Sequence, residues 1–368
     1  MTNVSSGRRR LLAGVGAAAS LLALPRRLLA AESKRTLGVA IVGLGGYAQD
    51  RIAPGLGLTR HCRLAGIVTG TPAKIASWQA RHRLPDRNVY SYENFDRIAD
   101  NPDIDVVYIT TPPHLHRSLA VRAANAGKHV WCEKPMAMNA AECQQMIEAC
   151  RRNKVGLAIG YRMQHEPNTR TIMGFASQRP FGRIRTVRAE AGYRGYDESD
   201  LQPRNWRLAR AFGGGPMYDM GTYPLNAARY TVGAEPLAVS ARRRVDRPEV
   251  FDQVEEHMDF TLEFPDGVRA ECATSFGRSM NTLRATCERG WYELSPFQSY
   301  SGVRGQASDG RRFDATVRHQ QALQMDEDAL AILQGMPLRV PGEEGLRDLR
   351  VMDAIFRSAG EDGRRITL

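Results

Sequence analysis

From residue 37 the chain alternates between short, almost wholly apolar runs and longer segments whose apolar residues recur three and four apart. The runs are Leu37 to Leu44 (LGVAIVGL), Arg63 to Val68 (RLAGIV), Val106 to Thr110 (VVYIT), His129 to Cys132 and Val155 to Ile159. Continuous apolar strands of this length are buried on both faces, as in a parallel sheet. The intervening segments include Ser118 to Ala126, closed by Gly127 as a helix end should be, and Asn139 to Asn153. Strand and helix in alternation predict a doubly wound α/β domain of Rossmann type over residues 36–160.

Past residue 160 the period changes. Arg185 to Gly192, Leu237 to Val245, His257 to Phe264 and Val268 to Phe276 read as strands, the last two joined by a turn at Pro265-Asp266-Gly267. Strands without intervening helices predict a mainly antiparallel sheet with one face covered, in an α+β domain over residues 161–368. Gly213-Gly214-Gly215-Pro216 make a loop, and the chain from there through Tyr230 reads as a helix. Gly345 to Ala359 reads as a final helix that packs back on the first domain.

The first 31 residues belong to neither pattern. Arg8-Arg9-Arg10-Leu11-Leu12, an apolar run to Leu24 and small residues at Ala30-Ala31 form a signal peptide. The run is too short for about 30 Å of hydrocarbon, so no lasting membrane insertion is expected. Paired arginines before two leucines predict export, already folded, by the twin-arginine machinery to the periplasm, with a Sec signal as the alternative. Part of the net charge of +11 sits in this segment. The other arginines are mostly spread singly among acids with no stripe of basic and aromatic residues, which excludes a nucleic-acid footprint and leaves a mild bias toward anionic ligands. The six cysteines form no C-x-x-C pair and have no histidine at zinc spacing, so no metal site and no essential disulfide are expected.

Candidate chemistry gathers at strand ends, the edge where open parallel sheets bind ligands. After the first strand comes Gly43-Leu44-Gly45-Gly46-Tyr47-Ala48, a dinucleotide fingerprint ending in alanine. Gly43 allows the tight turn, Gly45 lets backbone approach a pyrophosphate, and Ala48 lets the helix pack on the strand. The second strand ends in Thr69-Gly70-Thr71-Pro72-Ala73-Lys74, without the carboxylate that holds an NAD ribose. A hydroxyl and a lysine there suit a 2′-phosphate, so the expected cofactor is NADP; the plain alternative is the start of a surface helix. Glu133 and Lys134 end the fourth strand before Pro135, either as a surface ion pair or as a proton-handling pair. Asp219 and Tyr223, four apart, share a helix face, either as an internal hydrogen bond or as a relay aimed at Lys134.

Together the segments VGLGGYA, CEKP, GYR, NWRL, GGGPMYDMGTYPLN and PGEEG resemble the Gfo/Idh/MocA family, in particular its glucose–fructose and aldose–aldose oxidoreductase branch. The resemblance implies a Rossmann domain followed by an open-faced sheet used for substrate and for assembly into a homodimer or homotetramer. It implies sugar substrates, with Tyr223 exchanging a proton at the anomeric oxygen, Lys134 lowering the pKa of Tyr223 and binding the same oxygen, and Asp219 orienting substrate. It also implies that Glu133, Arg162, Arg207, Tyr92 and Pro112 line the cofactor. A tyrosine, with its ordinary pKa of about 10, is a poor base at neutral pH, and an ammonium in contact favours its phenolate. The expected activity is oxidation of an aldose to its aldonolactone coupled, through retained NADP, to reduction of a second sugar. An ordinary dehydrogenase with exchangeable cofactor and a non-catalytic sugar-binding protein are the alternatives. Substrate choice is expected in the loops Tyr193 to Leu201 and Ser295 to Phe313.

Overall fold

A computed structural model of the chain describes residues 36–368; the signal read over residues 1–31 lies outside them. Six parallel strands form the first sheet: β1 (Leu37–Val42), β2 (Cys62–Val68), β3 (Val89–Tyr90), β4 (Val106–Ile109), β5 (His129–Cys132) and β6 (Leu157–Ile159). Their spatial order is β3-β2-β1-β4-β5-β6, the order of dinucleotide-binding α/β folds. Five helices accompany it in sequence, α1 (Ala53–Leu56), α2 (Ile75–His82), α3 (His116–Asn125), α4 (Ala140–Arg152) and α5 (Pro167–Gln178). Because side chains alternate along a strand, β1 feeds two cores. Val39 and Ile41 join α1, α2 and the far helix α7 (Gln320–Gln334) on one face. Ala40 and Val42 join α3, α4 and the last helix α8 (Gly342–Gly360) on the other.

Helix α6 (Thr222–Val232) begins the second layer. It packs on β7 (Ile184–Gly192), whose inward residues Val187, Ala189 and Ala191 are buried. The remaining strands are β8 (Ala238–Arg244), β9 (His257–Glu263), β10 (Arg269–Ser275), β11 (Met280–Cys287), β12 (Gly290–Leu294), β13 (Gly305–Ala307), β14 (Arg312–Phe313) and β15 (Ile366–Thr367). They and β7 form one sheet in the order β14-β13-β12-β11-β7-β10-β9-β8-β15. The sheet is mainly antiparallel, as expected, with one exception: the central pair β7 and β10 runs parallel. The chain leaves β7 and crosses through α6 before β8, β9 and β10 return, and a crossover of that length permits a parallel neighbour. The outer face, with Arg188, Glu190, Arg242, Glu271 and Arg284, carries polar side chains over a broad shallow depression.

The last helix does reach the first sheet. It packs on α4 and β6 and also on β8, so it bridges both layers. Arg229 of α6 is buried against Asp348 and Glu344 of α8. One correction concerns extent: the last parallel strand starts at Leu157. The loop expected from Ser295 to Phe313 contains two short strands, β13 and β14.

Candidate active site

The loops that leave β1 and β4 meet at the carboxyl edge of the parallel sheet, where strand order reverses. Gly43 has φ +90°, and a Cβ there would lie 2.8 Å from Thr111 Cγ2. Thr110 Oγ1 donates to the Gly43 carbonyl at 2.7 Å, tying the two loops together. A cavity of about 700 Å³ opens between this edge and the second sheet, lined among others by Gly46, Tyr47, Glu133, Lys134, Arg207, Asp219 and Tyr223.

β5 delivers Glu133 and Lys134 to its floor. Glu133 is buried and its Oε1 accepts from Tyr108 Oη at 2.7 Å. Burial pushes its carboxyl up, while the Tyr108 bond, Lys134 and Arg162 pull the other way. Behind Lys134, the buried imidazole of His116 lies 3.0 Å from the Pro135 carbonyl and 2.8 Å from that of Thr111. It thereby joins the two strand-end loops, and burial drives its pKa down to about 4.

Asp219 and Tyr223 come from the entry to α6. Residues Met217–Gly221 form a wide π-helical turn, which then tightens into the α-helix; such turns concentrate at functional sites. Asp219 Oδ2 accepts from Arg207 Nε at 3.0 Å and from Tyr193 Oη at 3.2 Å. Burial pushes the Asp219 carboxyl up, but Arg207 and Lys134 outweigh it and hold the group below the usual range. Lys134 Nζ donates to the Asp219 carbonyl at 2.5 Å and lies 3.7 Å from Oδ1. Toward Tyr223 it faces the ring, 4.8 Å from the centroid. The Tyr223 hydroxyl instead accepts from Arg162 Nη2 at 3.4 Å. The expected contact of Lys134 with the tyrosine oxygen is thus made by a different cation.

The other expected residues divide. Leu44 and Ala48 are buried beneath the glycine turn, and Gly45 is exposed on it. Lys74 reaches back to this turn and donates to the Leu44 carbonyl at 2.8 Å. Thr69 is buried, and its hydroxyl accepts the Thr71 N–H at 3.0 Å. The Tyr92 ring lies where a Cβ on Gly70 would be, 2.8 Å away. Tyr92, Pro112 and Arg162 are not on the cavity wall. Pro112 stands between the wall residues Thr111 and Pro113, its carbonyl accepting the Leu115 N–H at 3.1 Å. Sequence reading missed Asn281 on β11 and Arg51 after the glycine turn as wall residues. Tyr193, Gln298 and Tyr300 also line it, from the two loops expected to set substrate choice. Burial pushes the Tyr300 hydroxyl up to about 12. Among the described residues no cluster of three or more His, Cys, Asp or Glu groups could hold a metal ion, and all six cysteines are free and buried.

Residues 37–161 match the family model described as an oxidoreductase family with an NAD-binding Rossmann fold, and residues 171–293 match the GFO/IDH/MocA C-terminal domain. The chain belongs to the Gfo/Idh/MocA oxidoreductases. A crystal structure of the aldose–aldose oxidoreductase from Caulobacter crescentus, complexed with glycerol, is similar to this oxidoreductase at 41% identity and a TM-score of 0.85. That match covers 91% of this chain and 100% of that one. A D-xylose 1-dehydrogenase [NADP(+)] from Haloarcula marismortui is 27% identical over 87% of this chain and 90% of its own length. An inositol dehydrogenase homologue from Azotobacter vinelandii, complexed with NAD+, shares the fold at 17% identity and a TM-score of 0.80, over 91% of this chain and 98% of that one.

The glycine turn of this oxidoreductase fits a dinucleotide. A Cβ on Gly45 would meet nothing within 4 Å, so the turn presents bare backbone to open space, as close approach of a pyrophosphate requires. Gly46 and Tyr47 continue that surface into the cavity, so a nucleotide held on the turn adjoins Lys134 and Tyr223.

Proposed function

We propose that this enzyme is a periplasmic, NADP-dependent sugar oxidoreductase that oxidises an aldose at its anomeric carbon and, with NADP(H) retained, reduces a second sugar. The observation that carries the reading is the meeting of Lys134, Asp219 and Tyr223 on one cavity wall beside the glycine turn. The 41% identity to an aldose–aldose oxidoreductase over the whole of that chain supports it. Gly43 to Ala48 would hold the pyrophosphate, with Lys74 and Thr69 near the 2′-phosphate. Bound there, the nicotinamide supplies the two-electron acceptor and donor.

The chain's own residues handle the proton and the geometry. Tyr223 takes the anomeric hydroxyl proton as an aldose becomes its lactone, and returns it to the oxygen of the second sugar as that sugar is reduced. Asp219, ionised and fixed by Arg207 and Tyr193, accepts hydrogen bonds from sugar hydroxyls and orients the ring. Lys134 donates to the substrate oxygen from beside Asp219. The open face of the second sheet serves a homodimer or homotetramer. Export by the twin-arginine route would deliver the enzyme folded and loaded, to a compartment without a pool of free cofactor.

The test uses protein purified without added nucleotide and dialysed extensively. Adding an aldose should raise the reduced-nicotinamide absorbance, and a second sugar should abolish it. Turnover only with added NADP would favour an ordinary dehydrogenase with exchangeable cofactor; the Haloarcula relative is named as a D-xylose 1-dehydrogenase [NADP(+)]. Tyr223→Phe should slow the first step by about 10²- to 10⁴-fold with sugar affinity retained; a variant as fast as wild type removes Tyr223 from the chemistry.

A further inference from the structure

Arg162 lies in the turn after β6, and only 2% of it is exposed. Its Nη1 donates to the Ser299 carbonyl at 3.0 Å, to Gln320 Oε1 at 2.8 Å and toward Met163 Sδ at 2.6 Å. Its Nη2 donates to Gln298 Oε1 at 2.8 Å and to Tyr223 Oη at 3.4 Å. Nε meets no acceptor. None of these partners is charged, although Glu133 contributes through space. Burying a cation without an ion-pair partner is costly, and a negative charge developing beside it would offset that cost. The only ionisable partner in this set is the tyrosine hydroxyl. Lys134 is committed to Asp219 and meets the face of the ring.

We propose that Arg162 is the positioning residue for Tyr223. It holds the hydroxyl oxygen as an acceptor, leaves the O–H free to point into the cavity, and carries the counter-charge once that proton has gone. The proposal rests on Tyr223 as the proton-exchanging group. Oxidation of a sugar needs the phenolate, which takes the substrate proton; reduction needs the phenol, which gives it back. Arg162 therefore favours the oxidising half-reaction at neutral pH. The other charged or titratable groups around Tyr223 are Lys134 and Glu133 from β5, Asp219 from the wide turn, Tyr300 from the loop before β13, and Tyr47 from the glycine turn. None of these is altered in the test.

Two variants remove the charge in different ways. Arg162→Met deletes it. Gln320→Glu keeps the oxygen that accepts from Nη1, exchanges the amide NH2 for a second oxygen and so sets a carboxylate against Nη1, neutralising the guanidinium where it stands; Gln320 opens α7, where an acid suits the helix dipole. Arg162→Lys is the charge-retaining control. The first readout is the phenolate absorbance of nucleotide-free protein against pH, taken as the difference from the same protein carrying Tyr223→Phe. Arg162→Met and Gln320→Glu should move this signal upward by about one pH unit or more, about a tenfold loss of phenolate at neutral pH. Arg162→Lys should leave it near the wild-type position. A signal unmoved in folded Gln320→Glu overturns the proposal, and this variant decides alone where Arg162→Met does not fold. The second readout is the two half-reactions in single turnover at pH 7. Oxidation should slow about tenfold and recover at high pH while reduction barely changes; equal slowing of both would mean only a structural role. The optical titration needs no substrate, so it stands even where no sugar is oxidised and the functional reading fails.

Discussion

Gly43 and Gly45 are two residues apart, yet the same substitution should do opposite things to them. At Gly45 an added Cβ meets no protein atom within 4 Å, and its φ lies outside the left-handed range. Gly45→Ala should therefore leave stability within about 0.5 kcal/mol of wild type, as for an ordinary surface change. The methyl group does occupy the space a pyrophosphate must enter. Displacing one charge-assisted hydrogen bond to backbone costs about 1.5–3 kcal/mol, or about 10- to 150-fold in NADP affinity. At Gly43 the backbone itself resists: φ is +90°, and the new Cβ would sit 2.8 Å from Thr111 Cγ2 and 3.2 Å from the Thr111 nitrogen. Strain of about 1–2 kcal/mol and overpacking of about 1–3 kcal/mol give a total loss of about 2–5 kcal/mol. Calorimetric titration of nucleotide-stripped protein with NADP, beside thermal melts without nucleotide, reads both quantities. Gly45→Ala should melt like wild type and bind poorly, and Gly43→Ala should melt several degrees lower. A Gly45→Ala protein that binds NADP within about twofold of wild type would refute the placement of the pyrophosphate on this turn.

Glu255, buried behind the wide turn with Oε1 accepting the Met217 N–H at 3.1 Å, is pushed by burial from 4.5 up to about 7. Its folded pKa exceeds its unfolded one, so its ionisation removes stability as pH rises from about 4.5 through about 7, by about 3 kcal/mol in all. Glu255→Gln should accordingly melt higher than wild type at pH 8 and lose that advantage near pH 5; an equal difference at both pH values contradicts the argument. Arg229→Met strands the buried carboxylates of Glu344 and Asp348 and should cost about 3–5 kcal/mol in denaturant melts at pH 7. A loss under about 1 kcal/mol would mean that this cluster does not fasten α8 to α6. Lys74→Ala should weaken NADP binding about tenfold, the share of one charge-assisted bond, and leave NAD binding unchanged. Equal loss for both nucleotides in the same titrations would remove Lys74 from 2′-phosphate recognition.

Much of this architecture was legible because it is local. β1 is six buried residues followed at once by the glycine turn, and apolar runs of that kind have few alternatives to a central strand. Asn139 caps α4 by accepting from Glu142 N, and Gly127, at φ +70°, follows the end of α3, both as their residue types dictate. Other elements were hidden by polar residues in the interior. Helix α7 buries Gln320, Gln321, Gln324 and Asp328 beside Met325 and Ala329, so its inward stripe does not read as apolar. Among the described residues its buried glutamines hydrogen-bond to Arg162, Tyr47 and Tyr108, which lie 158 to 274 residues away, and Gln324 Oε1 meets no donor. β11 has three half-buried residues, Met280, Asn281 and Thr282, at its start and gives little alternation to detect.

Which side chains stand at the carboxyl ends of the parallel strands is written in the sequence, because strand periodicity, a glycine turn and a proline stop are properties of neighbouring residues. The sequence also placed Asp219 and Tyr223 on one helical entry. The tertiary structure decided what those side chains meet. Lys134 turns to Asp219 and the face of the tyrosine ring, and Arg162, expected at the cofactor, lies behind the wall with its guanidinium on the hydroxyl. That choice depends on how the second sheet and α7 close over the first, setting Arg162 against Tyr223, Gln298 and Gln320 and Lys134 against the Tyr223 ring. Contacts so distant in sequence leave no local pattern, since each is fixed by the packing of two cores.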